Sequence, residues 1–302
     1  MPARTKSLDS GPPGEDNRSG TLYLVATPIG NLEDITLRAL RILKEADLVA
    51  CEDTRHTQKL FQRYEITTPT TSYHEHNELT RSAELILQLE EGARIALVSD
   101  AGMPGISDPG YRLVSLAIRH HITVVPIPGP SAMVAALVAS GMPTDEFRFS
   151  GFLPPKPGQR RKVLEHHKGF ARTLIFYEAP HRIIECLEAV NDVLGNRHVV
   201  VAREVTKLHE EFLRGRCLDV MEELRHRDNV QGEITLLIAP PDEEPHPFAE
   251  VPLRTRIEQI MREQSVDRMT ALKTVARERG ISKRQAYREY EHAEEEAGAA
   301  ER

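Results

Sequence analysis

Tryptophan is absent from this chain, and aromatic residues make up only 5% of it. Cysteine is scarce. Cys51, Cys186 and Cys217 stand far apart, with no CxxC and no close His pairing. That pattern gives no metal site and fits reduced thiols in the cytoplasm. No apolar run reaches the roughly 20 residues of a membrane-spanning helix, so no membrane partner is expected. The first twenty residues lack an apolar core; they read as a disordered tail (1–19) and not as a signal peptide. The formal charge of −7 argues against a uniformly basic nucleic-acid binder but leaves room for a local basic patch. GxGxxG after the first strand, GxxxxGK[ST] and GxSxG are all missing, which removes three common ligand-binding signatures.

The 302 residues suffice for two domains and an appendage. From Thr21 to Gly141, short apolar runs alternate with helical patterns. The runs are Leu22–Ala26, Leu48–Cys51, Arg94–Val98 and Ile122–Ile127. Asp34 is the expected cap of a first helix, and a second is expected near Gln58 to Tyr64. Glu78 to Glu91 is amphipathic, and Ala132 to Ser140 is apolar with Ser131 placed as its cap. Such alternation predicts a mainly parallel sheet with helices on its faces, over residues 20–141.

Met142–Asp145 reads as a hinge. A second α/β unit, 145–240, carries strand candidates at Phe147–Phe152, Thr173–Tyr177, His198–Ala202 and Ile234–Ile238. Helices are expected at Arg160–His167, Arg182–Leu194 and Leu218–Arg227. A Pro- and acid-rich linker follows (241–251). Residues 252–293 then read as helices, with Gly280-Ile281-Ser282 as a break resembling a helix-turn-helix, before an acidic tail (294–302). The fold class is α/β with a helical appendage.

Three Gly/Pro loops stand at strand ends: Thr27–Asn31, Ser99–Gly110 and Pro128–Ser131. Glycines let a ligand approach the main chain closely, and loops at the carboxyl ends of strands are where open α/β sheets bind ligands. Together they predict a small-molecule site.

These same residues carry a resemblance. Thr27-Pro28-Ile29-Gly30-Asn31-Leu32, Glu52-Asp53-Thr54-Arg55, Ser99–Gly110 and Pro128–Ala132 resemble the tetrapyrrole-methylase superfamily of S-adenosylmethionine-dependent enzymes, the class III methyltransferase fold. Gly151–Pro154, Tyr177–Arg182, Ala202–Lys207 and Gly232-Glu233 extend the resemblance over roughly residues 20–240, and the helical tail is similar too. The joint occurrence of the motifs is specific, whereas any one alone is weak. Departures are small: Met103 stands where Thr is usual, Ala179 where Ser is usual, and Gln231 where Lys is usual.

The branch that the chain resembles methylates the ribose 2′-oxygen of a cytidine in the decoding region of 16S ribosomal RNA, within the small ribosomal subunit. The resemblance implies two domains with S-adenosyl-L-methionine in the cleft between them, and a homodimer. Matched by motif, the cofactor contacts would be Pro28, Asp100, Met103, Ile106, Ser107, Ser131, Ala132 and Leu153. Ser131 also has the plain role of a helix cap. Lys156, Arg160, Arg161, His181, Arg182 and Arg203 are the candidate RNA contacts, with an ordinary solvated face as the alternative for the 156–162 run.

Methyl transfer to a ribose hydroxyl is served by positioning and by a base or cation near the oxygen. Asp53, Arg55, Glu178 and Lys207 are the leading candidates for that work. Lys207 could lose its proton or steer an oxyanion, or it could simply be ion-paired. Asp53 could orient the substrate or pair with Arg55. His74-Glu75-His76 offers two ligands on one strand face but no third, so no metal is expected. Two rival functions remain: a tetrapyrrole C-methyltransferase on the same fold, and a non-catalytic RNA-binding assembly protein.

Overall fold

The computed structural model describes residues 20–242, 251–279 and 281–300, with no side chain described beyond Glu291. The expected disordered tail at 1–19, most of the linker, Gly280 and the last two residues of the acidic tail lie outside the described residues. Contacts divide the chain into two units, 1–241 and 242–302.

The first half of the larger unit is a five-stranded, wholly parallel sheet. Its strands are β1 (Thr21–Val25), β2 (Leu48–Cys51), β3 (Thr70–Ser72), β4 (Arg94–Val98) and β5 (Thr123–Ile127). They lie in the order β3-β2-β4-β1-β5. Side chains alternate across the sheet, as the two-residue period requires. Val25, Val49, Cys51, Ala96 and Val98 meet α1 (Leu37–Glu45) and α2 (Thr54–Tyr64) on one face. Leu22, Ala50, Ile95 and Leu97 meet α3 (Glu78–Glu90) and α4 (Tyr111–Arg119) on the other. The chain therefore leaves β1 toward one face and β4 toward the other. These two strands are neighbours, so their loops diverge and open a crevice at the switch point.

The second half is a mixed sheet in the order β6-β7-β10-β8-β9. β6 (Phe147–Phe152) and β7 (Thr173–Glu178) are parallel, and β8 (His198–Arg203), β9 (Glu211–Arg216) and β10 (Ile234–Ile238) join by antiparallel pairing. One face is covered by α6 (Pro157–His167), α7 (Ile183–Leu194) and α8 (Cys217–Arg225) around Phe176, Val201 and Leu236. The other face, with Ile175, Val200 and Leu237, is covered by α5 (Ala132–Ser140) through Ala136 and Leu137. Sequence order places α5 with the first half, but it packs on the second sheet. Its surface is nearly all apolar, yet among the described residues only one side is covered, and Val134 and Val138 stay exposed.

Several expectations are corrected. Thr36, not Asp34, caps α1, accepting from Ala39 N at 3.1 Å; Asp34 sits in the preceding 3-10 turn. α2 starts at Thr54, because Asp53 caps it. Arg182 belongs to a 3-10 turn before α7. β3 and β9 are strands that the residue pattern did not predict.

The smaller unit is three helices, α9 (Leu253–Gln264), α10 (Arg268–Glu278) and α11 (Lys283–Ala300). Leu253, Ile257, Ile260, Leu272, Val275, Ala286 and Tyr290 form its core. Among the described residues no helix is long and apolar enough to cross a membrane.

Candidate functional site

The three loops meet at the crevice. Thr27 N donates to Gly102 O at 2.9 Å and Gly102 N to Thr27 O at 3.1 Å, while Thr27 Oγ1 donates to Ser99 O at 3.0 Å. Thr27 thus pins the first loop to the second. Gly102, Gly105 and Gly110 all have positive φ, which explains the glycines of that loop. Ser107 (φ 62°) adopts the same region without being glycine, as do Glu204 (52°) and Thr206 (71°) in the facing segment of the second half. Backbone strain of this kind gathers at ligand sites.

Two adjoining chambers result. The larger, about 410 Å³, is lined by Asp100, Met103, Ile106, Ser107, Asp108, Ser131, Ala132 and Met133 from the first half and by Phe152, Tyr177, Glu178, Glu233 and Thr235 from the second. The smaller, about 300 Å³, is lined by Pro28, Gly30, His56, Lys59, Asp100, Lys207 and Glu233. Ile29, Asp100, Ala101 and Glu233 line both.

The large chamber is acidic as well as apolar. Burial and the neighbouring Glu52 and Asp100 push the Asp108 carboxyl up to about 7. Burial, then Asp100, raises Glu52 too. No cation among the described residues pairs with Asp108. Ser131 stands at the N-cap of α5 without making a side-chain cap bond, so its hydroxyl is available to the chamber.

The small chamber sets cations beside carboxylates, Lys59 and Lys207 with Asp100 and Glu233. Lys207 Nζ lies 2.7 Å from Glu204 Oε1 and 3.2 Å from Glu233 Oε2. Burial alone would lower the lysine, but the two carboxylates outweigh it and the net shift is upward. Lys207 is therefore an ion-paired ammonium, the plain role expected of it, and a poor candidate for losing a proton. Asn31 N, on the first loop, donates to Thr206 Oγ1 at 3.2 Å and ties that loop to the lysine's segment.

Of the residues expected to touch the cofactor, Asp100, Met103, Ile106, Ser107, Ser131 and Ala132 line the large chamber and Pro28 lines the small one. Leu153 lines neither. It is 1% exposed in the core of the second half, where its backbone carbonyl accepts from Arg182. Asp53 caps α2 and pairs with Arg55 at 2.8 Å, which holds its carboxyl near 2. Its backbone N–H donates to Asp100 Oδ1 at 3.2 Å, so Asp53 and Arg55 brace the chamber wall. Glu178 is buried, and its Oε1 accepts from Ala179 N at 2.8 Å and from the Arg182 guanidinium. It holds the 178–182 turn in place.

The expected RNA contacts divide. Lys156, Arg161 and His181 are exposed, Arg161 pairing with Asp192. Arg160 is a correction: its side chain is 2% exposed and donates to Pro154 O, Pro155 O and Glu185, so burial removes it from any phosphate. Arg182 is held by Glu178, and Arg203 by Glu211 and the Gln231 carbonyl. Asp108, Glu233, Lys59 and His56 were not singled out as ligand or acceptor contacts from the sequence. Asp108 sits within the glycine loop, but its place beside Glu52 follows only from the fold. His74 and His76 form a T-shaped ring pair with centres 6.0 Å apart, and His74 shares a hydrogen bond with Asn77.

Comparison with known proteins adds to this geometry. The Tetrapyrrole (Corrin/Porphyrin) Methylases profile matches residues 21–220. The chain belongs to this family. Its members are S-adenosylmethionine-dependent methyltransferases, and so is this tetrapyrrole methylase. Ribosomal RNA small subunit methyltransferase I of Halalkalibacterium halodurans is 50% identical over 279 residues, covering 90% of this chain and 94% of that protein. The protein of the same name from Bacillus subtilis is 43% identical over 276 residues, again covering 90% and 94%. Among solved structures, the methyltransferase CobJ aligns with a TM-score of 0.57 at 22% identity, over 74% of this chain and 95% of its own. A diphthine synthase aligns at 0.56 and 15%, over 73% and 90%. At such identities these two attest the fold.

The residues fit S-adenosylmethionine. The large chamber is in the size range of small-ligand sites. It joins apolar walls, suited to an adenosyl group, to the carboxylates of Asp100 and Asp108, with which no cation pairs among the described residues. A ligand bearing sulfonium and ammonium charges supplies one.

Proposed function

We propose that this chain methylates the ribose 2′-oxygen of a cytidine in the decoding region of 16S ribosomal RNA, acting on the small subunit. The observation that carries the reading is the meeting of two chambers at Asp100 and Glu233: one acidic and apolar, the other holding the ion-paired ammonium of Lys207. Relatives 43–50% identical over nine-tenths of the chain are named for methylation of small-subunit ribosomal RNA, which supports an RNA acceptor.

When bound, S-adenosylmethionine supplies a methyl carbon activated by its sulfonium. The chain's own residues do the rest. Asp100 and Asp108 hold positive charge in the large chamber. Lys207, kept protonated by Glu204 and Glu233, faces the small chamber and stabilises negative charge growing on an acceptor oxygen as the hydroxyl proton passes to solvent water. Lys59 and His56 give that chamber further affinity for a phosphate-bearing acceptor. Asp53, Arg55 and Glu178 act as positioning residues. Most of the acceleration comes from holding donor and acceptor in line. The reading includes a homodimer, a cytoplasmic site of action, halves at 20–141 and 145–240, and a helix-turn-helix-like segment at 252–293.

The test incubates the protein with labelled donor and unmethylated small ribosomal subunits. Label is expected on the ribose of one cytidine. Label on free porphyrinogens instead, or binding of RNA with no transfer at all, overturns the proposal.

A further inference from the structure

Residues 252–290 hold ten Lys/Arg against five Asp/Glu, and the three-helix unit sorts those charges. Its carboxylates are spent internally. Glu258 accepts from Arg254 at 3.0 Å, and Glu278 accepts from Arg256 at 3.1 Å. Asp267 caps α10 through Thr270 N at 2.7 Å, and Glu263 and Glu289 accept from glutamines one helical turn away. Arg277 of α10 and Lys283, Arg284 and Arg288 of α11 are left exposed, with no carboxylate in ion-pair distance among the described residues.

On α11 the buried positions are Ala286 and Tyr290; Arg284 and Arg288 project from the other side of the helix, and Lys283 and Tyr287 are exposed at its flank. Ser282 caps α11, its Oγ accepting from Gln285 N at 3.1 Å. The basic residues thus crowd the end where the helix dipole is already positive. Cations there oppose the dipole and cost helix stability, and they are repaid only when an anion binds. The unit also offers little to a protein partner. Met269 and Tyr287 are its only exposed large apolar side chains among the described residues, whereas protein interfaces are anchored by clustered apolar and aromatic groups.

We propose that the N-terminal half of α11, with Arg277 of α10, is an RNA-docking element that binds the phosphate backbone of the substrate RNA. The proposal rests on ribosomal RNA being the substrate. Exposed cations unpaired by carboxylates attract the closely spaced phosphates of an RNA strand, and Tyr287 adds a ring that can stack on a sugar or base. An anchor of this kind raises the local concentration of one RNA segment at the chambers.

The test uses the full chain carrying K283Q, R284Q and R288Q together, which keeps good helix formers at exposed positions. Circular dichroism confirms the fold, and the single R277Q variant serves as an independent probe. Binding to protein-free 16S RNA and to small subunits is measured without methyl donor between 50 and 200 mM KCl (values of about the range in which phosphate contacts are resolved). The expected result is at least a tenfold loss of affinity for both, with a salt slope shallower by about 2 for the triple variant and about 1 for R277Q. S-adenosylmethionine affinity stays unchanged. Unchanged RNA affinity and slope overturn the docking element. Loss for subunits alone, with protein-free RNA bound normally, overturns it in favour of a ribosomal protein partner. Because binding is read without transfer, a wild-type chain that binds RNA through this element but methylates none refutes the proposed activity and leaves the docking element standing.

Discussion

Gly30 lies against Lys207 across the junction of the two halves: a Cβ built on Gly30 would stand 2.3 Å from Lys207 Cγ. The first loop is therefore the back wall of the lysine's slot. Only a residue without a side chain leaves the ammonium where Glu204 and Glu233 can both reach it.

Gly30→Ala is expected to push Lys207 aside without touching the large chamber. A displacement near 1 Å at a positioned group costs up to about 100-fold in rate. Steady-state transfer assays should show kcat reduced tenfold or more, while titration shows donor affinity within about twofold of wild type. Equal losses in both would refute the assigned division of labour.

The charge state of Lys207 gives a sharper test. Its pKa is raised above the ordinary lysine value, so the folded chain holds the ammonium through neutral and mildly alkaline pH. The rate should be insensitive to this group from about pH 7 to 9, the range below an ordinary lysine pKa. Lys207→Gln should slow transfer throughout that range by a constant factor. A rate that climbs with pH in the wild type and becomes flat in Lys207→Gln would instead identify a neutral amine acting as base.

Asp108 predicts a pH-dependent stability. Its folded pKa of about 7 lies above that of an unfolded aspartate. A raised acid binds its proton more tightly when folded, so folding loses stability as pH climbs from the unfolded value to the folded one. Asp108→Asn removes that loss. Melting curves of the ligand-free protein should show the variant gaining on wild type between pH 4.5 and 7 (about the window between the two pKa values) and holding a constant lead above it. A lead that is independent of pH would remove Asp108 from the acidic cluster.

Arg160 and Lys156 separate burial from RNA contact. Arg160→Ala leaves the Pro154 and Pro155 carbonyls without their donor and should destabilise the fold by about 2–4 kcal/mol, the range for losing a buried, multiply bonded group. Lys156→Ala, at an exposed position, should stay within about 0.5 kcal/mol. Urea titrations of both variants decide the matter.

Strand-end loops and the parallel first sheet were legible because their signals are local: apolar runs such as Ile95–Val98 that end in Gly- and Pro-rich segments. β9, Glu-Phe-Leu-Arg-Gly-Arg, was hidden because it is a charged edge strand whose register is set by β8. Arg160 misled because it shares the helix period of the buried Leu164 and His167, yet a lysine-arginine run reads as solvated. The site's chambers were legible as three loops. Their electrostatics were not, since Glu52, Asp100 and Asp108 approach one another only once β2 and β4 lie side by side. Family resemblance carried Leu153 to the cofactor, but in this fold its side chain faces the second core.

The seating of α5 has a consequence for how the chain can be divided. The helix is encoded before the hinge at 142–145 but completes the hydrophobic layer beneath Ile175, Val200 and Leu237. A polypeptide cut at the hinge would carry a second half with an uncovered sheet and a first half with an orphan greasy helix. The two pieces should be insoluble when expressed singly and recover a folded state when produced together, whereas a cut before Ser131 would keep the second sheet intact. Evolution could exchange the second half of such a fold only by carrying α5 with it.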